Sequence, residues 1–228
     1  MKSYFHLLLL TLALPVLGQD VNDNVFQVKY ENSTEQLGIG LLKLNFDNQR
    51  IIEIFDDPDF SNKYAEWDSE NPNKEIHPKF YELDYGICDF VCLEETTNYY
   101  KVLIGFDQVK YVKVSSAWGF TPWKSLIENS FGVTRKRESR VSNKLRTSKS
   151  DNSEEIPLDF KIHENFCVNS LEDSWLNVKY DCIYATEQYS EFEGQSCFEY
   201  IDKCDNSKTG WIKWKQEGEL LIKIYLMP

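Results

Sequence analysis

Positive charge, histidine and long apolar runs are all scarce in this 228-residue chain. Against 37 acidic residues stand 25 lysines and arginines, a formal net charge of −12 at pH 7. Such a chain repels phosphate backbones, so nucleic acid is not an expected partner, and the excess charge is read as a solubility feature. Beyond the N-terminus no uninterrupted apolar run approaches the ~20 residues a membrane-crossing helix needs, so no stable membrane span is expected. Only three histidines occur, and two of them, His77 and His163, lie beyond the first eighteen residues. Cys167 follows His163 in HENFC, a spacing without a nucleophile signature, so a disulfide is the expected state of that cysteine. The chain also lacks a GxSxG elbow, an HExxH helix, a glycine-rich phosphate loop and EF-hand spacing. No cofactor and no metal are expected. The run DDPDFS gathers Asp56, Asp57 and Asp59, but without the glycine and closing glutamate of a calcium loop it reads as a turn.

What is present begins with Lys2 and an apolar run from about Leu7 to Leu17, ended by Val16 and Gly18 at the positions a signal peptidase prefers. Residues 1–18 are therefore expected to be an export signal, which makes the chain periplasmic or secreted. All six cysteines, Cys88, Cys92, Cys167, Cys182, Cys197 and Cys204, follow that segment. An even count in an oxidising compartment favours disulfides. Cys182 bridged to Cys204 would staple the base of the excursion between them, and Cys182 to Cys197 is nearly as good. Cys88 and Cys92 share one face of an extended segment, roughly 13 Å apart by the strand rise, too far for a bridge unless the chain turns there.

Aromatic residues are plentiful, with 14 Phe, 13 Tyr and 6 Trp, and period-two alternation outweighs helical spacing. Strands are expected near 38–46, 50–55, 85–93, 99–105, 108–114, 164–169, 174–180, 210–215 and 219–226, which predicts a mostly β chain of small sandwiches or barrels. A short helix is expected near 122–131, with Thr121 as cap, Pro122 at the first position and Trp123, Leu126, Ile127 and Phe131 on one face. After it, Arg135, Lys136, Arg137, Arg140, Lys144, Arg146 and Lys149 crowd into a stretch without aromatics. That stretch, 133–150, reads as a polar linker rather than as a basic patch for an anionic surface.

The segments on either side of the linker echo one another weakly, each placing an acidic turn before an aromatic strand with paired lysines. In the second, the acidic turn, WLNVKY and GWIKWK resemble bacterial SH3-like modules, in which a tryptophan-led strand precedes a Gly-Trp strand. IIEIFDDPDFS and KLRTSKSDNSEEI resemble the opening strand and first loop of such modules. The ending GWIKWKQEGELLIKIY is similar to exported proteins of Bacteroidetes-type bacteria. The resemblance implies two SH3-like β-barrel modules, over 19–132 and 141–228, with a cysteine-containing insertion near 182–204 and one short helix between the modules. A single sheet domain over 25–132 would weaken that tandem arrangement. Locally, Trp211 and Lys213 alternate with Ile212 and Trp214, Gln216 to Gly218 turn the chain, and Leu220, Ile222 and Ile224 supply the closing apolar face.

SH3-like modules commonly bind extended peptides in aromatic grooves, so the resemblance implies a non-catalytic module for a cell-wall peptide or envelope protein. Its candidate ligand-binding residues are Glu172, Asp173, Trp175, Trp211 and Trp214. The alternatives are a structural or assembly component of the envelope, whose tryptophans would all be buried, or a hydrolase using Cys167 or a carboxylate pair.

Overall fold

The computed structural model describes residues 26–27, 37–46, 51–68, 75–105, 108–158, 164–183, 187–205 and 207–226. The expected export signal and His163 lie outside the described residues. The fold is mostly β. The first sheet holds β1 (Phe26–Gln27), β2 (Gly40–Leu44), β3 (Ile51–Phe55), β4 (Lys63–Asp68), β5 (Phe80–Glu82), β6 (Ile87–Glu95), β7 (Tyr99–Leu103), β8 (Val109–Lys113) and β9 (Trp118–Pro122). Then come α1 (Trp123–Glu128), β10 (Gly132–Arg135), β11 (Phe166–Glu172), β12 (Trp175–Tyr180), α2 (Cys197–Tyr200), β13 (Thr209–Lys213), β14 (Lys215–Gln216), β15 (Glu219–Leu220) and β16 (Ile222–Tyr225).

The first sheet is antiparallel and is organised around β6. Asp89 pairs with both Lys43 and Phe80, and Val91 with both Leu41 and Leu103, so β2 runs along one edge of β6 while β5 and β7 share the other. Both faces of β6 are covered, which explains its near-continuous apolar run ICDFVCL. Cys88, Phe90 and Cys92 face a core with Trp67, Ile54, Val102 and Ile104. On the other face Val91 joins a larger core with Leu41, Leu103, Trp123, Ile127, Val178 and Ile222. Trp67 of β4 packs edge-on against Phe90, ring centres 5.9 Å apart, so the sheet curls over its own first core.

The second sheet runs β13-β12-β11-β10-β16. No closed barrel is found among the described residues, and the first half is one nine-stranded sheet rather than a small barrel over 48–116. The edge strands β13 and β16 are joined by the β14–β15 hairpin, whose two-residue turn has Glu217 and Gly218 at φ of 53° and 84°. Positive φ at both central positions is what such a tight turn demands, and Gly218 adopts it without steric cost. Leu220, Ile222 and Ile224 are buried, as their alternation predicts.

The stretch 133–150 is not a free linker. It begins inside β10, a strand flanked by β11 and β16. Arg135 is buried, its Nε and Nη2 donating to Glu164 at 3.0 and 2.5 Å and its Nη1 to the Asn143 carbonyl at 2.7 Å. Asn143 in turn brackets the backbone of Lys213, accepting from its N–H at 2.8 Å and donating to its carbonyl at 2.7 Å. A charged residue stays buried when its donors are met this fully, which composition alone does not reveal. The helix is also shorter than expected. Thr121 and Pro122 remain in β9, paired with Leu41 and Gly40, and Pro122 caps α1 without a side-chain bond. Trp123, Leu126 and Ile127 are buried on one face as predicted.

Four of the six cysteines are bridged, Cys167 to Cys197 and Cys182 to Cys204, with Cα separations of 5.8 and 5.7 Å. Of the two partners considered for Cys182, Cys204 is the one found. Cys88 and Cys92 are free and buried. They are not a disulfide pair because β6 runs straight through both, holding them apart on one face.

Candidate binding surface

β11 and β12 are joined by the turn Glu172-Asp173-Ser174-Trp175, in which Asp173 takes φ of 56°. An aspartate tolerates that left-handed conformation better than most residues. The turn's backbone is used by Trp214, whose N–H donates to the Ser174 carbonyl at 3.0 Å and whose indole Nε1 donates to the Asp173 carbonyl at 2.9 Å. Trp214 is only 2% exposed and lies against Trp123 of α1, ring centres 6.0 Å apart. Trp123 in turn donates from Nε1 to the Leu37 carbonyl at 2.7 Å. Trp214 is thus a joint between the two sheets, buried away from any ligand.

Trp175 and Trp211 are placed differently. Alternation in β12 sends Leu176 and Val178 inward and Trp175 and Asn177 outward, while β13 sends Ile212 inward and Trp211 and Lys213 outward. Register sets Trp175 opposite Lys213 and Asn177 opposite Trp211, so both half-buried rings share one outward face. Each carries an ammonium: Lys213 Nζ is 5.3 Å from the Trp175 ring and Lys149 Nζ is 5.4 Å from the Trp211 ring. These are cation–π distances. Both lysines are also paired, Lys213 with Asp151 at 2.6 Å and Lys149 with Glu172. The Glu172 hydrogen bond raises the pKa of Lys149.

Lys149 and Asp151 reach this face on a loop bonded along the outer edge of β13. Arg146 and Trp211 exchange two backbone hydrogen bonds of 2.9 and 2.8 Å, and Arg146 Nη1 ties the loop by donating to the Ser153 carbonyl at 2.7 Å. Lys213 of this face also lines a groove of about 430 Å³, with Leu37 and Gly38 of the first half and Ser174 and Lys215 of the second; neither tryptophan lines it. Of the five expected ligand-binding residues, Trp175, Trp211 and Glu172 share this surface, Asp173 is an exposed turn residue beneath it, and Trp214 is core. Lysine on both rings was not foreseen. GWIKWK carries only that Lys213 shares the outward face with Trp211; its seat on Trp175 and the arrival of Lys149 depend on the neighbouring strand and loop.

Asp57 in DDPDFS accepts hydrogen bonds from the Ser61 and Asn62 N–H groups and from Asn62 Nδ2, all at 2.9 Å, and that bonding, led by Ser61, lowers its pKa. It is the turn expected. No cluster of three metal-binding side chains occurs among the described residues. Cys167 is in a disulfide and offers no thiolate. No family model, curated protein or solved structure matches the chain.

Proposed function

We propose that this chain is an exported, non-catalytic binding protein whose second half is an SH3-like module, recognising an extended cell-wall or envelope peptide across the Trp175–Trp211 face. The observation that carries the reading is two half-buried tryptophans on adjacent strands, sharing one outward face with Lys213, which also lines a groove. Flat rings on a rigid sheet supply contact area with little entropy to lose. The paired lysines and carboxylates give an incoming peptide groups of both signs to exchange with. Support for the SH3-like part comes from the chain order: β10 to β13 follow one another, and β14–β15 joins β13 to β16, which returns to pair with β10. The Leu221 N–H donating to the Trp214 carbonyl at 2.8 Å extends that junction. Two disulfides, and no helix among the described residues long and apolar enough to cross a membrane, are compatible with export.

The test is retention of the oxidised chain on isolated cell-wall fragments and on an immobilised envelope extract. Trp175→Ala and Trp211→Ala, each verified as folded by circular dichroism, are expected to weaken retention by about tenfold or more, as loss of an aromatic anchor does. Absence of retention on both preparations replaces this reading with that of a structural component of the envelope.

A further inference from the structure

A second cleft, of about 640 Å³, lies between the first sheet and α1. Its floor is formed where Lys43 of β2 stands directly opposite Asp89 of β6, with Gly119 next in the same row on β9. Nothing lies within 4 Å of where a Gly119 side chain would begin, so this row is left open. Thr121 of β9, and Ser125 and Asn129 in and at the end of α1, line the cleft with hydroxyl and amide groups.

Asp89 is 4% exposed, and three carboxylate residues are buried among the described residues: Asp89, Glu164 and Asp181. The other two are fully engaged. Glu164 takes Arg135 and the Thr134 hydroxyl, and Asp181 takes Tyr200 Oη at 2.8 Å and the Ile183 N–H at 3.0 Å. Among the described residues no hydrogen bond or ion pair engages the Asp89 carboxylate or the Lys43 ammonium, although the two residues are cross-strand neighbours lining one cleft. Burial pushes the Asp89 carboxyl up to about 6, and Lys43 is the charge that offsets it. Proteins rarely leave a buried carboxylate without a partner. A simple cation would be repelled by Lys43 and a simple anion by Asp89.

We propose that this cleft binds a small zwitterion of the amino-acid type, its ammonium on Asp89 and its carboxylate on Lys43, with Thr121, Ser125 and Asn129 holding its remaining polar groups. This inference does not rest on the tryptophan face, and its test leaves that face intact.

The experiment is calorimetric titration of the full oxidised chain with each of the twenty L-amino acids and with D-alanine, alongside ethylammonium, acetate and glucose. Saturable binding of at least one amino acid with Kd below about 1 mM, and none of the three single-function probes, is expected. Asp89→Asn and Lys43→Met, both folded by circular dichroism, are expected to weaken it at least tenfold, while Trp175→Ala leaves it unchanged. Absence of amino-acid binding overturns the proposal, as does binding that survives both substitutions. Stronger binding of glucose would overturn it too, marking the cleft as a saccharide site.

Discussion

Burial makes ionisation of Asp89 oppose folding, and the charge of Lys43 offsets it only in part. Its carboxyl sits at about 6 in the fold against an ordinary 3.8, so the folded chain holds a proton that the unfolded chain releases. The sign follows directly: the group costs nothing below about pH 4, and stability falls as pH rises through the folded pKa. The full penalty at pH 8 is about 3 kcal/mol. Asp89→Asn is therefore expected to stabilise the chain at pH 8 by about 1–3 kcal/mol and to leave it unchanged at pH 3.5. Urea denaturation at the two pH values measures this. Burial also acts on Cys88 and Cys92, raising the first thiol well above its ordinary value and the second to about 12. Both stay protonated and shielded. A thiol reagent should find none in the folded chain and two in denaturant without reductant. A chain showing no free thiol in denaturant would require a pairing that straight β6 does not permit.

At the level of elements, β10 depends on a contact that ties it to the segment before β11. Arg135 and Glu164 are 5% and 0% exposed at the side chain, so removing either leaves the other charge buried and unpaired. Glu164→Ala is expected to cost about 3–5 kcal/mol, read from the denaturation midpoint. The excursion between β12 and β13 is held otherwise. Its own small core of Phe192, Tyr200 and Ile201 is closed by both disulfides, and Phe192 stacks on Tyr200 at 5.1 Å. Replacing Cys182 and Cys204 together by serine should cost about 2–4 kcal/mol, measured as a drop in melting temperature.

Across the whole molecule, one core draws on both sheets and α1, with Leu41 and Leu103 from the first sheet, Trp123 from the helix and Trp214 and Ile222 from the second. The halves therefore should not separate. A fragment covering 141–228 lacks β10, the strand between β11 and β16, and leaves Trp214 without Trp123. It is expected to be unfolded by circular dichroism while the full chain melts in a single transition. A folded fragment would restore the picture of two independent modules.

Legibility differed from place to place for physical reasons. Strands with clean alternation, such as WLNVKY and the run ending IKIY, were readable because a half-buried strand imposes period two on its own residues. Turn chemistry at Gly218 was readable for the same local reason, and Cys204 was readable as one of two partners for Cys182. Not legible in the sequence were β1, β4, β5, β9 and β10. β9 carries Gly119 and Pro122, β10 is hidden in a basic run, and β4 buries only Trp67 fully. Of the candidate surface, Trp175, Trp211 and Glu172 were named in advance, whereas the burial of Trp214 and the Lys43–Asp89 cleft were not. By itself the sequence determined the β class, the inward and outward sides of its regular strands, and two candidate partners for Cys182. Only the tertiary structure decided that the first half is one sheet, that Arg135 is core, that Cys204 rather than Cys197 takes Cys182, and that Asp89 lies buried beside Lys43. Those outcomes depend on which distant strands become neighbours, and a residue's own flanking sequence carries no record of the partner it will meet.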